Sequence, residues 1–583
     1  MTAAYRLPYW YQPQAARDYL LGVCHGDVHV MRGLAQILYG TFALETHDAI
    51  AYGLHLGVAI PYTVWRSIGI SPYQLEVTGL LLPGWEHYVQ GVLEADVQGQ
   101  CRRFKLDNTF LINYLRLCLE HMDDSPWVNV IDGESYKTRR FERTPSQKRK
   151  CGRPRRVGRA KINWAAGMSR AYDLLRTAEA LTSLRHRARA IQAIRCLQGI
   201  RSQPSFRHSR SEPGFASYVP VYHQVDCGGR WYEKDSGFQG LPECIKAALV
   251  LGTGQINSDL KSCHIAAAVA LAGELNAHAA YQETYDLMIK GLETTDEQKK
   301  QGVFGVRDLL KMKKAYDRIA VAAELPRKVV KRCILATLYG GNTGGGVWRD
   351  KKDRRRSGAI MAALLEHHDE HYWAARKSYN KLMPFMAHIV EFAESLEETI
   401  STVMDDPAWW RRSRGKLRQM VQVGYGSLIN AVGTRIDLRV PASANEADRK
   451  AMARRALSHI LTGIEQHAIR HLLDVLKSEG VTVLHLEHDG LVTDKVIPQV
   501  CVDYMVDNSL MPNYTTLEIK PYNLETEDEL DNLANRIRSK SQTTTAHPGT
   551  PDAHSPTGRA PIRCRENGDQ STSVPEDLDL TLE

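Results

Sequence analysis

No run of 18 apolar residues occurs in this chain, which excludes a helix built to cross a bilayer. There is no C-x-x-C pair either. The eleven cysteines are scattered, and an odd, unpatterned set argues for reduced thiols rather than a disulfide framework or a zinc site. The N-terminus lacks the charged-then-apolar order of a secretory signal, although Arg6 and Arg17 precede the first acid, Asp18, as in an organelle transit segment. The expectation is an intracellular, cytoplasmic protein with no membrane partner. Organelle targeting is the alternative.

The chain does have room: 583 residues allow two to four domains and a substantial core. Its net charge of +8 says less than where the charge sits. Residues 1–130 mix aromatic and apolar segments, such as Tyr9-Trp10-Tyr11 and Leu80-Leu81-Leu82-Pro83, and read as folded. From Lys137 to Lys161 the composition turns basic, with Lys148-Arg149-Lys150 and Arg153-Pro154-Arg155-Arg156 and almost no apolar residues. Such a stretch cannot bury a core, so it reads as a mobile linker or loop, suited either to phosphate contact or to plain solvation.

Residues 162–200 carry helical patterning, with Leu174, Leu175, Ala178, Leu181 and Leu184 on one side. Arg185, Arg187, Arg189 and Arg195 crowd its later part, a face fit for a duplex or for solvent. Residues 243–275 look core-like. Residues 285–340 read as helical and end in the glycine-rich stretch 340–346, and 357–400 are helical again. Trp409-Trp410-Arg411-Arg412, with Arg414, Lys416 and Arg418, forms a second basic cluster. Its indoles suit base stacking or a core. An amphipathic helix is expected over 446–477, and beyond Arg538 the Ser, Thr, Pro and Gly content reads as disorder.

Two short alternating runs meet in Leu484-His485-Leu486-Glu487-His488-Asp489-Gly490-Leu491-Val492-Thr493. The pattern predicts a hairpin whose turn uses a positive φ at Gly490 and presents Asp489 as a rigid, exposed carboxylate. Two carboxylates on neighbouring strands can share a pair of Mg²⁺ ions about 3.5–4 Å apart and support phosphoryl transfer. Asp259 is the best partner, at the end of a strand-like run, 254–258, and just before a helix-like run, 263–273. A lone Asp in that place otherwise serves as a helix cap. The stretch 327–340, preceded by Pro326, adds a third element. Arg327, Lys331, Leu335 and Tyr339 recur every fourth position and share a helix face, offering two cations for a triphosphate, an apolar rung and an aromatic ring.

Asp259-Leu260-Lys261-Ser262-Cys263-His264, then Arg327, Lys331, Tyr339 and Gly340, then His488-Asp489, resemble motifs A, B and C of the family A DNA polymerases, in that order. Gly229-Arg230-Trp231, Leu241-Pro242, Gly433-Thr434-Arg435 and Arg454-Arg455-Ala456 resemble the family's supporting segments. The resemblance covers about 229–521. It implies an α+β right-hand polymerase: an antiparallel palm, helical fingers over about 274–400 and a helical, thumb-like region at 162–228. Palm and fingers together would take 229–525, after a 1–136 region of unknown role and the 137–161 linker, with a 538–583 tail.

It further implies that Asp259, the Leu260 carbonyl and Asp489 hold two Mg²⁺. Arg327 and Lys331 would bind the triphosphate, with Lys331 also giving a proton to the pyrophosphate. Leu335, Tyr339 and Gly340 would line the nucleotide, and His488 would approach the primer end. The partners implied are primer-template DNA, nucleoside triphosphates and accessory replication proteins. The chain departs from the family at His264, where a Glu usually excludes the ribose 2′-OH, and at Gly490, where an acid usually follows the Asp. Leu335 often has an aromatic counterpart, and Ser458 and Thr462 stand where an Asn and a Gln are expected. The missing acid after Asp489, together with Val330-Lys331-Arg332, also resembles the single-subunit phage-type RNA polymerases. An RNA polymerase or primase is therefore the alternative, and an inactive nucleic-acid-binding protein the second. The carboxylates of 1–228 (Asp107, Asp123, Asp124 and Asp132 among them) do not resemble a 3′–5′ exonuclease set, so proofreading is not expected.

Overall fold

A four-stranded antiparallel sheet holds both aspartates. Its strands are β1 (Ile256–Leu260), β2 (Val483–Leu486), β3 (Gly490–Thr493) and β4 (Leu517–Ile519), in the order β2-β3-β1-β4. This computed structural model describes residues 11–42, 102–124, 127–130, 155–181, 184–225, 228–233, 237–277, 291–312, 314–349, 355–368, 371–404, 413–424, 426–438, 446–511 and 513–522, with Gly133 and short pieces between 50 and 81. The chain divides into two units, 1–526 and 527–583, and the second lies outside the described residues, as does the tail expected to be disordered.

Alternation along β1 decides what the sheet offers. Ser258 and Leu260 are buried, so Asn257 and Asp259 take the other, more open face. The register sets Asp259 opposite Gly490 on one side and opposite Glu518 on the other. The buried face rests on helices. α1 (Cys263–Ala277) follows β1 directly and packs through Ile265, Ala266, Val269 and Leu271, where small residues let neighbours approach closely. α2 (Arg327–Leu338) and α3 (Glu446–Leu476) join the same core, as does the 33-residue helix Tyr372–Met404 through Leu382, Met386, Ile389, Phe392 and Leu396.

Several local expectations change. Of the basic stretch, the residues described begin at Arg155, and they are not a free linker. Arg155–Arg156 pairs with the strand Val221–Gln224, and Ala160–Asn163 pairs with Phe215–Tyr218. Ala160 and Ile162 turn inward there, an alternation hidden by the basic composition around it. Lys148, Arg149, Lys150, Arg153 and Pro154 lie outside the described residues, as do Arg6, Tyr9, Trp10, Leu82, Pro83, and Trp409 to Arg412.

Residues 162–228 are helical only to Arg201, in helices Trp164–Leu181 and Leu184–Arg201, and strands follow through Gln224. The second helix is not a free basic surface: Ala190, Ile191, Ile194 and Leu197 are buried, and so is Arg187, bonded to Asn108. Among the described residues of 285–340, separate helices stand in place of one run, Asp296–Lys300, Val306–Lys311, Ala315–Ala323 and α2 among them. α3 is amphipathic only at its ends, because every residue from His459 to Gln466 is buried. A helix enclosed on all sides belongs inside the core, and here it carries polar groups there.

Candidate active site

Asp489 sits at the hairpin turn between β2 and β3, where Glu487 N–H donates to the Gly490 carbonyl at 3.0 Å. Leu260 N–H donates to the Asp489 carbonyl at 2.9 Å, which ties the turn to the end of β1. Gly490 does not take a positive φ, contrary to the expected turn chemistry. It is the first residue of β3, and it is needed for a different reason. A Cβ there would lie 2.4 Å from the Ser258 carbonyl oxygen and 3.2 Å from Asp259 Oδ1. A side chain at 490 would push the two strands apart beneath the aspartates.

The two carboxylates crowd each other. Burial and then Asp489 raise the Asp259 carboxyl above its ordinary range, while Lys520 works against the rise. Lys520 follows β4, and its Nζ lies 2.9 Å from Asp259 Oδ2. Burial pulls the Lys520 ammonium down, but Asp259 outweighs it and holds the amine above its usual value, with Asp489 and Glu243 adding to the field. Two hard oxygen donors with a cation already drawn to them suit a divalent cation such as Mg²⁺.

A buried ionic network lies beneath. Glu465 of α3 is fully enclosed, and its carboxylate takes Arg230 Nε at 3.2 Å and Nη2 at 3.0 Å, with a ring nitrogen of His264 at 2.8 Å. Burial alone would raise this carboxyl, yet His264 and Arg230 together hold it at about 2. The Tyr339 hydroxyl joins by bonding to His264, and Arg230 Nη2 donates to it at 3.0 Å. Cys263 Sγ lies 3.6 Å from Glu465 Oε2 and 3.9 Å from Asp489 Oδ2, linking the network to the turn. Cys263, His264 and Glu465 lie close enough to share a metal ion, with ligand atoms within 4.8 Å of one another. Arg230 already neutralises the carboxylate, however, and burial keeps the thiol well above its ordinary range.

α2 begins after Pro326, which is its N-cap rather than its first turn. At the other end Gly340 takes φ +75°, its N–H donates to Thr337, and Gly341 N–H donates to Ala336, closing a Schellman cap. A Cβ on Gly340 would also meet Arg454 of α3 at 2.9 Å. The cap delivers Tyr339 to the network. Leu335 is half-buried, and Lys331 and Arg327 are exposed farther along the same face. Arg327 rests on Asp317 at 3.1 Å and over the Tyr316 ring.

His488 completes the turn. Its carbonyl accepts the Gln466 amide at 2.7 Å, its ring lies 5.2 Å from that of Tyr232, and burial followed by Arg230 lowers its basicity. Asp259, Leu260, His488 and Asp489 thus meet at the strand ends, and His264 and Tyr339, with Gly340 beyond it, are linked to them through Cys263 and Glu465, while Arg327, Lys331 and Leu335 lie farther along α2. Sequence reasoning missed Glu465 and Lys520: one reads as part of an ordinary helix and the other as a surface lysine.

The N-terminal carboxylates do other work. Asp107 caps the helix Asn108–Glu120, Asp123 holds Arg201, His208 and the Trp164 indole, and Asp124 pairs with His121. Asp132 is outside the described residues.

No protein-family model matches the chain, and no curated protein matches it. Among solved structures it is similar to the POL domain of Pol1 from M. smegmatis in complex with DNA primer-template and dNTP. The TM-score is 0.35 and the identity 14%, over 60% of this chain and 55% of that one, so the chain spans about half of that structure's length. The fold is a mixed one of helices and antiparallel sheet, and among the described residues no helix is long and apolar enough to cross a membrane.

Proposed function

We propose that this protein is a template-directed DNA polymerase that adds deoxynucleotides to a primer 3′-OH. One observation carries the reading: Asp259 and Asp489, 230 positions apart, meet at adjacent strand ends of one antiparallel sheet. The sheet would be the palm, and the helices between β1 and α3 the fingers. Asp259 and Asp489, with the Leu260 carbonyl, would hold two Mg²⁺, which lower the pKa of the attacking hydroxyl and neutralise the leaving pyrophosphate when bound. The protein's own part is positioning. Tyr339 and His264, locked by Glu465 and Arg230, would form a rigid wall for the incoming nucleotide. Lys331 and Arg327 lie along the same helix face, where exposed cations would take the triphosphate. His488 is held by Gln466 at the turn, where a primer end would lie.

Primer extension with the full chain, using dNTPs or NTPs in Mg²⁺, tests this. Extension with dNTPs that is lost in Asp489→Asn is the expected result. Extension with NTPs alone would assign the fold to an RNA polymerase or primase. Binding to primer-template without extension by either would leave a nucleic-acid-binding protein.

A further inference from the structure

We propose that Lys520 is a built-in counter-ion that competes with a divalent cation for Asp259 and sets the cation concentration at which the site fills. The inference rests on the reading of Asp259 and Asp489 as metal ligands. The backbone of Lys520 is fixed: its N–H donates to the Asn257 carbonyl at 2.9 Å, and the Asn257 amide donates back to the Lys520 carbonyl at 2.9 Å. From that anchor the side chain reaches Asp259 Oδ2 at 2.9 Å. The Lys520 side chain is 51% exposed and that of Asp259 only 16%, so the ammonium comes from the solvent side. It can therefore swing away without disturbing the sheet.

While the ammonium stays, its positive charge eases the crowding of the two carboxylates at adjacent strand ends. A dication bound to either oxygen of Asp259 would lie within a few ångströms of that ammonium, and two cations on one carboxylate repel each other. Filling the site therefore requires Lys520 to leave. Gly490 sharpens the competition. The strand facing Asp259 has no room for a side chain there, so no additional acid can enter from that side to draw the ammonium off.

The test is Mn²⁺ binding to the full chain, read by electron paramagnetic resonance of the free ion, for wild type, Lys520→Met, Lys520→Gln, Lys520→Arg and Asp489→Asn. Lys520→Met and Lys520→Gln should each bind Mn²⁺ about tenfold more tightly than wild type while melting at a lower temperature in a chelator. Lys520→Arg, which keeps the charge, should stay near wild type in both. A residue that merely secured the strand edge would lower affinity and melting temperature together. Unchanged or weaker binding in both neutral variants, with Mn²⁺ binding lost in Asp489→Asn, would overturn the role of Lys520 alone. Binding that survives Asp489→Asn undiminished would overturn the metal reading and this proposal with it.

Discussion

Gly490 stands directly across the strand from Asp259, with no space between them for a side chain. The nearest obstacle is the Ser258 carbonyl oxygen, part of the backbone, so relief requires moving a strand rather than a rotamer. Gly490→Ala should cost about 1–3 kcal/mol, the usual range for overpacking, and Gly490→Glu more. Urea denaturation measures this, and an unshifted midpoint in Gly490→Ala would show that the strands separate freely.

Glu465 holds Arg230 and the His264 ring inside the protein, and removing its charge would strand the Arg230 guanidinium. Breaking a buried pair of this kind costs about 3–5 kcal/mol. Glu465→Gln should lose stability on that scale, whereas Glu179→Gln, on an exposed pair with Arg116, should change by about 1 kcal/mol or less. Equal effects from the two substitutions would contradict the network described here.

His485 is fully buried against Phe238, with ring centroids 3.9 Å apart, and among the described residues neither ring nitrogen meets a partner. Burial, then Lys246, holds its pKa at about 3, while burial holds His459 and His467 at about 4. Each stays neutral in the fold but takes up a proton below about pH 6.5 once unfolded. Their contribution is therefore whole above that pH and is lost as pH falls toward the folded values. His485 alone should cost about 2 kcal/mol between pH 6.5 and 5. His485→Phe should flatten the stability–pH profile by that amount, and a slope equal to wild type would reject the assignment.

Removing one of two crowded carboxylates should disturb the fold little and the chemistry a great deal. Asp489→Asn and Asp259→Asn should each melt within a few degrees of wild type while slowing primer extension by about 10³-fold or more, given the several kcal/mol that ion-assisted charge stabilisation supplies. Circular dichroism beside a gel-based extension assay separates the two effects. Folded variants with full extension would mean that the chemistry lies elsewhere.

Periodicity and local chemistry were readable in the chain without its fold. The stripe Arg327, Lys331, Leu335, Tyr339 lies on one helix because residues four apart share a face. Gly340 closes that helix because only a positive φ lets the cap form. The paired runs around Asp489 make the expected hairpin, but the alternation read there does not sort its faces: Leu484, His485 and Leu486 are buried in succession, as is every residue of β3, because both faces of these strands are covered. What tertiary structure decided were the relations between distant residues. Gly490 looks like a turn glycine, and only its register opposite Asp259 shows that it serves close approach. Glu465 sits in a helix whose pattern looks amphipathic, and its burial depends on α3 being enclosed on all sides. Lys520 is one basic residue among 75. Its bond to Asp259 exists because β4 pairs with the free edge of β1, and strand pairing between segments about 260 residues apart leaves no periodic trace in either one.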